Sequence, residues 1–328
     1  MAEHRPGEFE LIAKYFAPLT RGFPGAGNLK NDIAVLAPPA GYELIVKTDA
    51  IVAGVHFLAD DPADLVARKA LRVNLSDIAA GGGSPYAYQM ALALPRDWTE
   101  TWVANFCAGL DADQREFNLH LCGGDTVATP GPLTIAITAF GLVPKGTAMG
   151  RDGAKAGDDI WVTGTIGDAA LGLRALRGDV PPLEPDERPY LVERYRLPRP
   201  RLALAPILRD VARVSIDVSD GLVADLGHVC TASGVGAAIE ATAIPLSPAA
   251  RRLVGADPAL LPVLMTAGDD YEILFTATND RREGLEGLAR QLGFPLTRLG
   301  RIVAGSKVSV LRFGQPLAID VAGGFRHF

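Results

Sequence analysis

Ile216-Asp217-Val218-Ser219-Asp220-Gly221 reads as the end of a strand running directly into the start of a helix. Period-two alternation places Asp217 and Ser219 on one face of that strand. Asp220 then falls at or near the N-terminus of a helix whose apolar face is Leu222, Val223, Leu226 and Val229. Backbone N–H groups at such a terminus attract anions. An ordinary Ser/Asp N-cap accounts for one of the three polar residues only. Strands mixed with helices along the chain point to an α/β or α+β fold. Acids that likewise sit beside a Gly, a hydroxyl residue or a short apolar run recur upstream, at Asn31-Asp32-Ile33-Ala34, Lys47-Thr48-Asp49, Asn74-Leu75-Ser76-Asp77 and Gly123-Gly124-Asp125-Thr126.

Carboxylates so far apart in sequence, with no matching His or Cys set, suggest a hard-cation site. Mg2+ takes oxygen ligands and works alongside substrate phosphates. In Gly123-Gly124-Asp125-Thr126 the paired glycines let a backbone approach a phosphate, although Gly and Asp also make ordinary turns. Asp77 lies late in a helix, where the macrodipole disfavours a negative charge. His56 is a candidate for substrate contact, though a lone His is more often structural. Arg151 is a candidate phosphate ligand in a Gly-rich connection. Glu272 is a candidate partner for a substrate amine or a polar position of a strand. Asp269 and Asp270 read as turn residues.

The 328 residues suffice for two cores. With 48% apolar residues and 21% charged residues the chain is globular. A net charge of −6 opposes general nucleic-acid binding, but bound metal ions can reverse the local sign for an anionic substrate. Cys107, Cys122 and Cys230 have no metal-like spacing and read as buried free thiols of a reducing compartment. With no apolar leader region and no membrane-length apolar stretch, a soluble cytoplasmic protein is expected.

Residues 8–16 have helical spacing, with Phe9, Ile12, Ala13 and Phe16 on one face. Residues 22–31 read as a Gly-rich mobile loop. Strands are expected at 33–36, 43–48, 89–94, 119–122 and 133–143, and helices at 64–80 and 99–116. Residues 144–159 read as a domain connection, dividing the chain into 1–147 and 148–328. Beyond it, strands are expected from 160, at 237–240, 271–276 and 307–313, while the Pro-rich stretch 181–200 reads as a surface excursion. The chain has no G-x-x-x-x-G-K-[ST] loop and no protein-kinase catalytic loop, and Gly234-Val235-Gly236 lacks the third glycine of a dinucleotide fingerprint.

Taken in order, these segments resemble the thiamine-monophosphate kinases, of the superfamily that includes aminoimidazole ribonucleotide synthetase and selenophosphate synthetase. The resemblance runs from Gly7-Glu8-Phe9 to Gly324-Phe325-Arg326-His327-Phe328. Its most specific parts are Thr48-Asp49 with Val52-Ala53-Gly54-Val55-His56-Phe57, then Val73-Asn74-Leu75-Ser76-Asp77, Gly123-Gly124-Asp125-Thr126, Arg151-Asp152-Gly153-Ala154-Lys155, Asp217-Val218-Ser219-Asp220-Gly221-Leu222 and Asp270-Tyr271-Glu272. It implies two α/β domains with mixed sheets flanked by helices, and a homodimer paired through the N-terminal domains. It also implies transfer of the ATP γ-phosphoryl group to thiamine monophosphate with several Mg2+ ions.

By position, the resemblance places Asp32, Thr48, Asp49, Asp77, Asp125, Asp217 and Asp220 around those ions, with Asp125, Asp217 and Asp220 at the chemistry. Gly124, Asp125, Arg151 and Ser219, with Phe117 near the adenine, would contact ATP. His56, Glu272 and Phe325 would contact thiamine monophosphate. Two positions depart from the pattern. Lys30-Asn31-Asp32 stands where the family often has Gly-Asp-Asp, and Lys47 stands where a small hydroxyl residue is common. Asp32 remains, so metal binding is expected to survive, with Lys47 supplying part of the positive charge. Two rivals are a sister enzyme with another acceptor and a catalytically silent Mg-nucleotide-binding module. A selenophosphate synthetase would carry a reactive Cys or selenocysteine near its N-terminus, whereas the first cysteine here is Cys107.

Overall fold

The computed structural model describes residues 6–319, so the expectation for Phe325 lies outside the described residues. The described chain forms two compact units. One holds the residues up to Ile78 with Gly83–Gly146, and the other holds Ala79–Gly82 with the residues from Thr147 onward.

The first unit contains α1 (Glu8–Leu11), β1 (Tyr42–Val52), α2 (Ala63–Ala80, the last two residues counted with the other unit), β2 (Ser84–Pro95), α3 (Glu100–Phe117), β3 (His120–Thr129) and β4 (Thr134–Pro144). The sheet order is β1-β4-β2-β3, with β2–β3 parallel and the other pairs antiparallel. Strand β4 shows why the sheet has two unlike faces: Ile135, Ile137, Ala139 and Val143 are buried, while Thr134, Ala136, Thr138, Phe140 and Leu142 between them are half-buried. Register carries this alternation to β1. Lys47 and Asp49 lie opposite Ala139 and Ile137 on the buried face, and Val46 and Thr48 lie opposite Phe140 and Thr138 on the open one.

Helices α2 and α3 are clamped by charge as well as by apolar packing. The fully buried Asp113 of α3 accepts from Arg68 Nε and Arg72 Nε of α2, each at 2.7 Å. Thr99 caps α3 by accepting the Trp102 N–H, and Gln114 Nε2 donates to the Tyr88 hydroxyl of β2 at 2.9 Å.

The second unit contains β5 (Asp159–Thr163), α4 (Asp168–Arg177), α5 (Glu187–Arg196), α6 (Ala205–Val211), β6 (Val214–Val218), α7 (Leu222–Ser233), β7 (Gly236–Glu240), α8 (Pro248–Ala256), α9 (Leu260–Thr266), β8 (Glu272–Ala277), α10 (Arg282–Leu292), β9 (Leu296–Val303), β10 (Val308–Arg312) and β11 (Gln315–Pro316). These strands make one mixed sheet in the order β11-β10-β7-β9-β5-β8-β6. Apolar clusters cover both faces. Ile160 and Val162 pack with Leu226 and Val229 of α7, while Trp161 between them packs with Leu208 of α6 and Phe275. A strand covered on both sides is buried along its whole length, as β5 and β8 are, around the apolar runs Ile160–Val162 and Ile273–Phe275.

Several sequence expectations need correction. Residues 33–36 join no sheet: Ile33 and Val35 are exposed, and the Val35 N–H bonds to the Gly25 carbonyl at 2.9 Å. The expected loop at 22–31 contains 3-10 turns over Pro24–Leu29. The helix at 8–16 widens into π-turns at Ile12–Phe16 and buries Leu11 and Phe16, leaving Phe9 83% exposed. Stretch 181–200 is no excursion, because α5 buries Leu191 and Tyr195, with Leu191 packed in the α4–α8–α9 cluster.

Candidate active site

Asp32, Gly124 and Asp125, which belong to two separate stretches of sequence, line one cleft of about 680 Å3 in the first unit. Its other walls include Phe9, Gln89 and Thr138, so it lies on the open face of the sheet. Gly123-Gly124-Asp125-Thr126 does not follow the strand as expected but lies inside β3, because β3 continues to Thr129. Gly124 is required by the fold: a Cβ there would collide with the Met90 carbonyl of the neighbouring strand. Asp125 is exposed at the rim, and one of its carboxylate oxygens accepts the Thr126 N–H at 2.9 Å. Asp32 is also exposed. Two solvent-reachable carboxylates on one cleft offer the oxygen donors that a hard cation takes.

Asp49 and Asp77 form a second group on the opposite face of β1. The Lys47 ammonium stands between them, 3.2 Å from Asp49 Oδ1 and 3.1 Å from Asp77 Oδ2. Burial opposes charge on this lysine, but the Asp77 and Asp49 carboxylates outweigh it and hold its pKa above the ordinary lysine value. Thr48 does not join the group. Its hydroxyl is on the open face, 2.8 Å from the Thr138 hydroxyl. His56 accepts the Val52 N–H on Nδ1 at 3.0 Å, which places the hydrogen of the neutral ring on Nε2. Phe117 ends α3 with the Arg72 guanidinium 4.9 Å from its ring centroid.

In the second unit, Asp217 is the penultimate residue of β6 and is buried, while Ser219 and Asp220 are half-buried in the loop that enters α7. The N–H groups of Ser219, Asp220 and Gly221 all donate to Asp225 Oδ2, each at 3.1 Å. The amides expected to receive an anion are thus engaged by a residue of α7 itself. Burial, reinforced by the neighbouring Asp220 charge, lifts the Asp225 carboxyl to about 7 despite those three bonds. Oxygen and nitrogen ligand atoms of Asp220, Asp225 and His228 lie within 4.8 Å of one another. The loop is held from the other side by the Asp269 N–H to the Ser219 carbonyl at 2.9 Å, and by the Tyr271 N–H to the Val218 carbonyl at 2.8 Å. Gly268 permits this approach, since a Cβ there would collide with the Ser219 carbonyl. Arg151 is exposed.

Glu272 is not placed to meet a substrate amine. It is fully buried, and its carboxylate accepts Arg201 Nε at 2.6 Å, Arg201 Nη2 at 2.5 Å, Arg194 Nη2 at 2.9 Å and the Thr163 hydroxyl at 2.6 Å. Four donors use the acceptor capacity of one carboxylate. Asp270 is no simple turn residue: it is buried and accepts the Gly167 N–H at 2.7 Å at the start of α4. Burial raises its pKa well above the usual carboxylate range.

The family described as AIR synthase related protein, N-terminal domain, matches residues 30–143. A thiamine-monophosphate kinase of Salmonella typhimurium is 42% identical over 325 residues, covering 98% of this chain and 98% of that protein. One from Caulobacter vibrioides is 41% identical over 94% of this chain and 88% of its own length. The chain belongs to the thiamine-monophosphate kinase family.

Solved structures agree with that membership. The thiamine-monophosphate kinase of Stenotrophomonas maltophilia aligns with a TM-score of 0.79 and 42% identity, over 88% of this chain and 91% of that one. A structure described as AaThiL complexed with AMPPCP and TMP aligns over 100% of both chains, with a TM-score of 0.77 and 28% identity. The hydrogenase maturation protein HypE of E. coli aligns at a TM-score of 0.77 and 20% identity, a likeness of fold alone.

Sequence reading missed three parts of this arrangement. Asp225 is a single acid in a helix, and only the fold shows it pinning the loop before α7. Arg194 and Arg201 lie 78 and 71 residues before Glu272. Asn74, quoted only as part of a motif, ties β1 to α2 through the Asp49 N–H at 3.0 Å.

Proposed function

We propose that this chain transfers the γ-phosphoryl group of ATP to thiamine monophosphate, giving thiamine diphosphate and ADP. The observation that carries the reading is its identity of about two residues in five, end to end, with thiamine-monophosphate kinases. The full-length alignment with a protein holding AMPPCP and TMP supports it, because those two molecules correspond in kind to the donor and the acceptor.

The acceptor is a phosphate already largely ionised near neutral pH, so no strong general base is needed. The main obstacle is repulsion between anions, about 4 kcal/mol for two unit charges 4 Å apart at an effective dielectric of 20. The residues present fit Mg2+ in two places, by the chemistry of their donors: Asp32 with Asp125 on one cleft of the first unit, and Asp220 with Asp225 and His228, whose ligand atoms lie within 4.8 Å of one another, in the second; Asp217 and Ser219 stay as assignments by resemblance. Bound there, Mg2+ would supply charge neutralisation and orientation for the phosphates. A further ion between Asp49 and Asp77 does not fit, because the Lys47 ammonium already stands there. Thr48 is left out of the metal set for its side-chain placement, and Glu272 is assigned to anchoring the fold.

Of the chain's other residues, exposed Arg151 is suited to a phosphate. His56, with its donor nitrogen fixed, is suited to an acceptor on the substrate. Gly124 brings bare backbone to the cleft wall beside Asp125. Phe117 for the adenine and Phe325 for the thiamine ring stay as assignments by resemblance. The open sheet face, where Val46 is 58% exposed beside Phe140, supports pairing of two copies into a homodimer. Among the described residues no helix is long and apolar enough to cross a membrane. Three buried free cysteines support placement in the cytoplasm.

An ADP-release assay over a panel of acceptors tests this reading. Release that requires thiamine monophosphate is the expected result. Release only with an aminoimidazole precursor or selenide would give the chain to a sister activity.

A further inference from the structure

Strand β1 and helix α2 bring three charges together in the first unit. Lys47 and Asp49 stand two residues apart on the buried face of β1, and Asp77 stands in the last turn of α2. Asn74 sets their approach: its Oδ1 accepts the Asp49 N–H at 3.0 Å and its Nδ2 donates to the Ala70 carbonyl at 3.0 Å. The Lys47 ammonium then lies within 3.2 Å of one carboxylate and 3.1 Å of the other. The two acids are 35% and 28% exposed, so a dissolved ion has access to them. A helix C-terminus disfavours the Asp77 charge, which adds to the demand for a cation here. A Mg2+ ion between the two carboxylates would sit about 2.1 Å from their oxygens, in the space the ammonium fills.

We propose that the Lys47 ammonium is the resident cation of the Asp49–Asp77 pair, so that this chain holds no divalent ion between them. The side chain supplies one fixed positive charge whose presence does not depend on the concentration of free Mg2+. A neutral residue at position 47 removes the cation shared by the two carboxylates and opens the position to a metal. The inference rests on the kinase reading only in expecting divalent ions elsewhere in the site. It is tested by counting ions without turnover, so its failure and the failure of that reading are distinguishable.

The experiment titrates the full chain with Mn2+ in the presence of AMPPCP and counts bound ions by electron paramagnetic resonance. Wild type and Asp77→Asn are expected to bind the same number per chain. Lys47→Ser is expected to bind one more, and Lys47→Ser with Asp77→Asn to return to the wild-type count. An unchanged count in folded Lys47→Ser would overturn the proposal, as would the loss of one ion in Asp77→Asn. Should Lys47→Ser fail to fold, the Asp77→Asn comparison decides alone.

Discussion

Arg194 Nη2 lies 2.9 Å from Glu272 Oε1, with the two side chains 2% and 0% exposed. Arg201 Nη2 meets the same oxygen at 2.5 Å, and its Nε donates to Oε2 at 2.6 Å. Removing one partner of such a buried set strands the others, at a cost of roughly 3–5 kcal/mol. Glu272→Ala should therefore lower the unfolding free energy by about that amount, measured by urea denaturation. A variant of near wild-type stability with a raised KM for thiamine monophosphate alone would return Glu272 to the substrate.

The exposed acids of the first cleft should behave in the opposite way. Asp32→Asn and Asp125→Asn remove charge at the surface, where substitutions change stability by about 0.5 kcal/mol or less. Turnover should fall roughly 100-fold or more in each, the scale of losing one electrostatic contact to a transition state. Melting temperatures measured beside kcat separate the two effects. Near-normal turnover in both variants would remove the cleft from the site.

Asp225 makes the metal-free protein pH-dependent in a direction fixed by its raised pKa. The folded carboxyl titrates at about 7 against an ordinary value of 3.8. Between those values the folded state holds the proton more tightly than the unfolded chain. This contribution is fully present below pH 3.8 and is lost as pH rises through about 7. Asp225→Asn keeps an oxygen for the three loop amides and removes the titration. Denaturation in a chelator at pH 5 and pH 8 should show wild type losing ground to the variant at the higher pH. Parallel behaviour would refute the assignment.

The cysteines should be inert in the native state. Burial pushes the Cys107 thiol up to about 12, and the Cys122 and Cys230 thiols up to about 11. The thiolate is the reactive form, so alkylation at pH 8 should track unfolding. Fast labelling of one thiol in folded protein would contradict its burial.

What could be read in the sequence depended on how local its physical cause was. Strict alternation made β4 legible. The acids of the site stood out because each sits beside Gly, a hydroxyl residue or a short apolar run. Helix α5 was hidden by flanking prolines, and only its packing in the α4–α8–α9 cluster explains it. Strand β9 was hidden because Arg298 and Arg301 interrupt its apolar pattern, and Arg298 is there to pair with Asp159 at 2.7 Å. Residues 33–36 show the converse, a short apolar run with no neighbouring strand to complete it. The faces of β1 followed from period two, but that Lys47 would bridge Asp49 to Asp77 depended on where α2 packs.

The most direct measurement is 31P NMR of purified protein with Mg-ATP and thiamine monophosphate. The account predicts that thiamine diphosphate and ADP signals grow together, at equal rates, and only when both substrates and Mg2+ are present. ATP left intact by folded protein, or ADP appearing with inorganic phosphate while thiamine monophosphate persists, would contradict it.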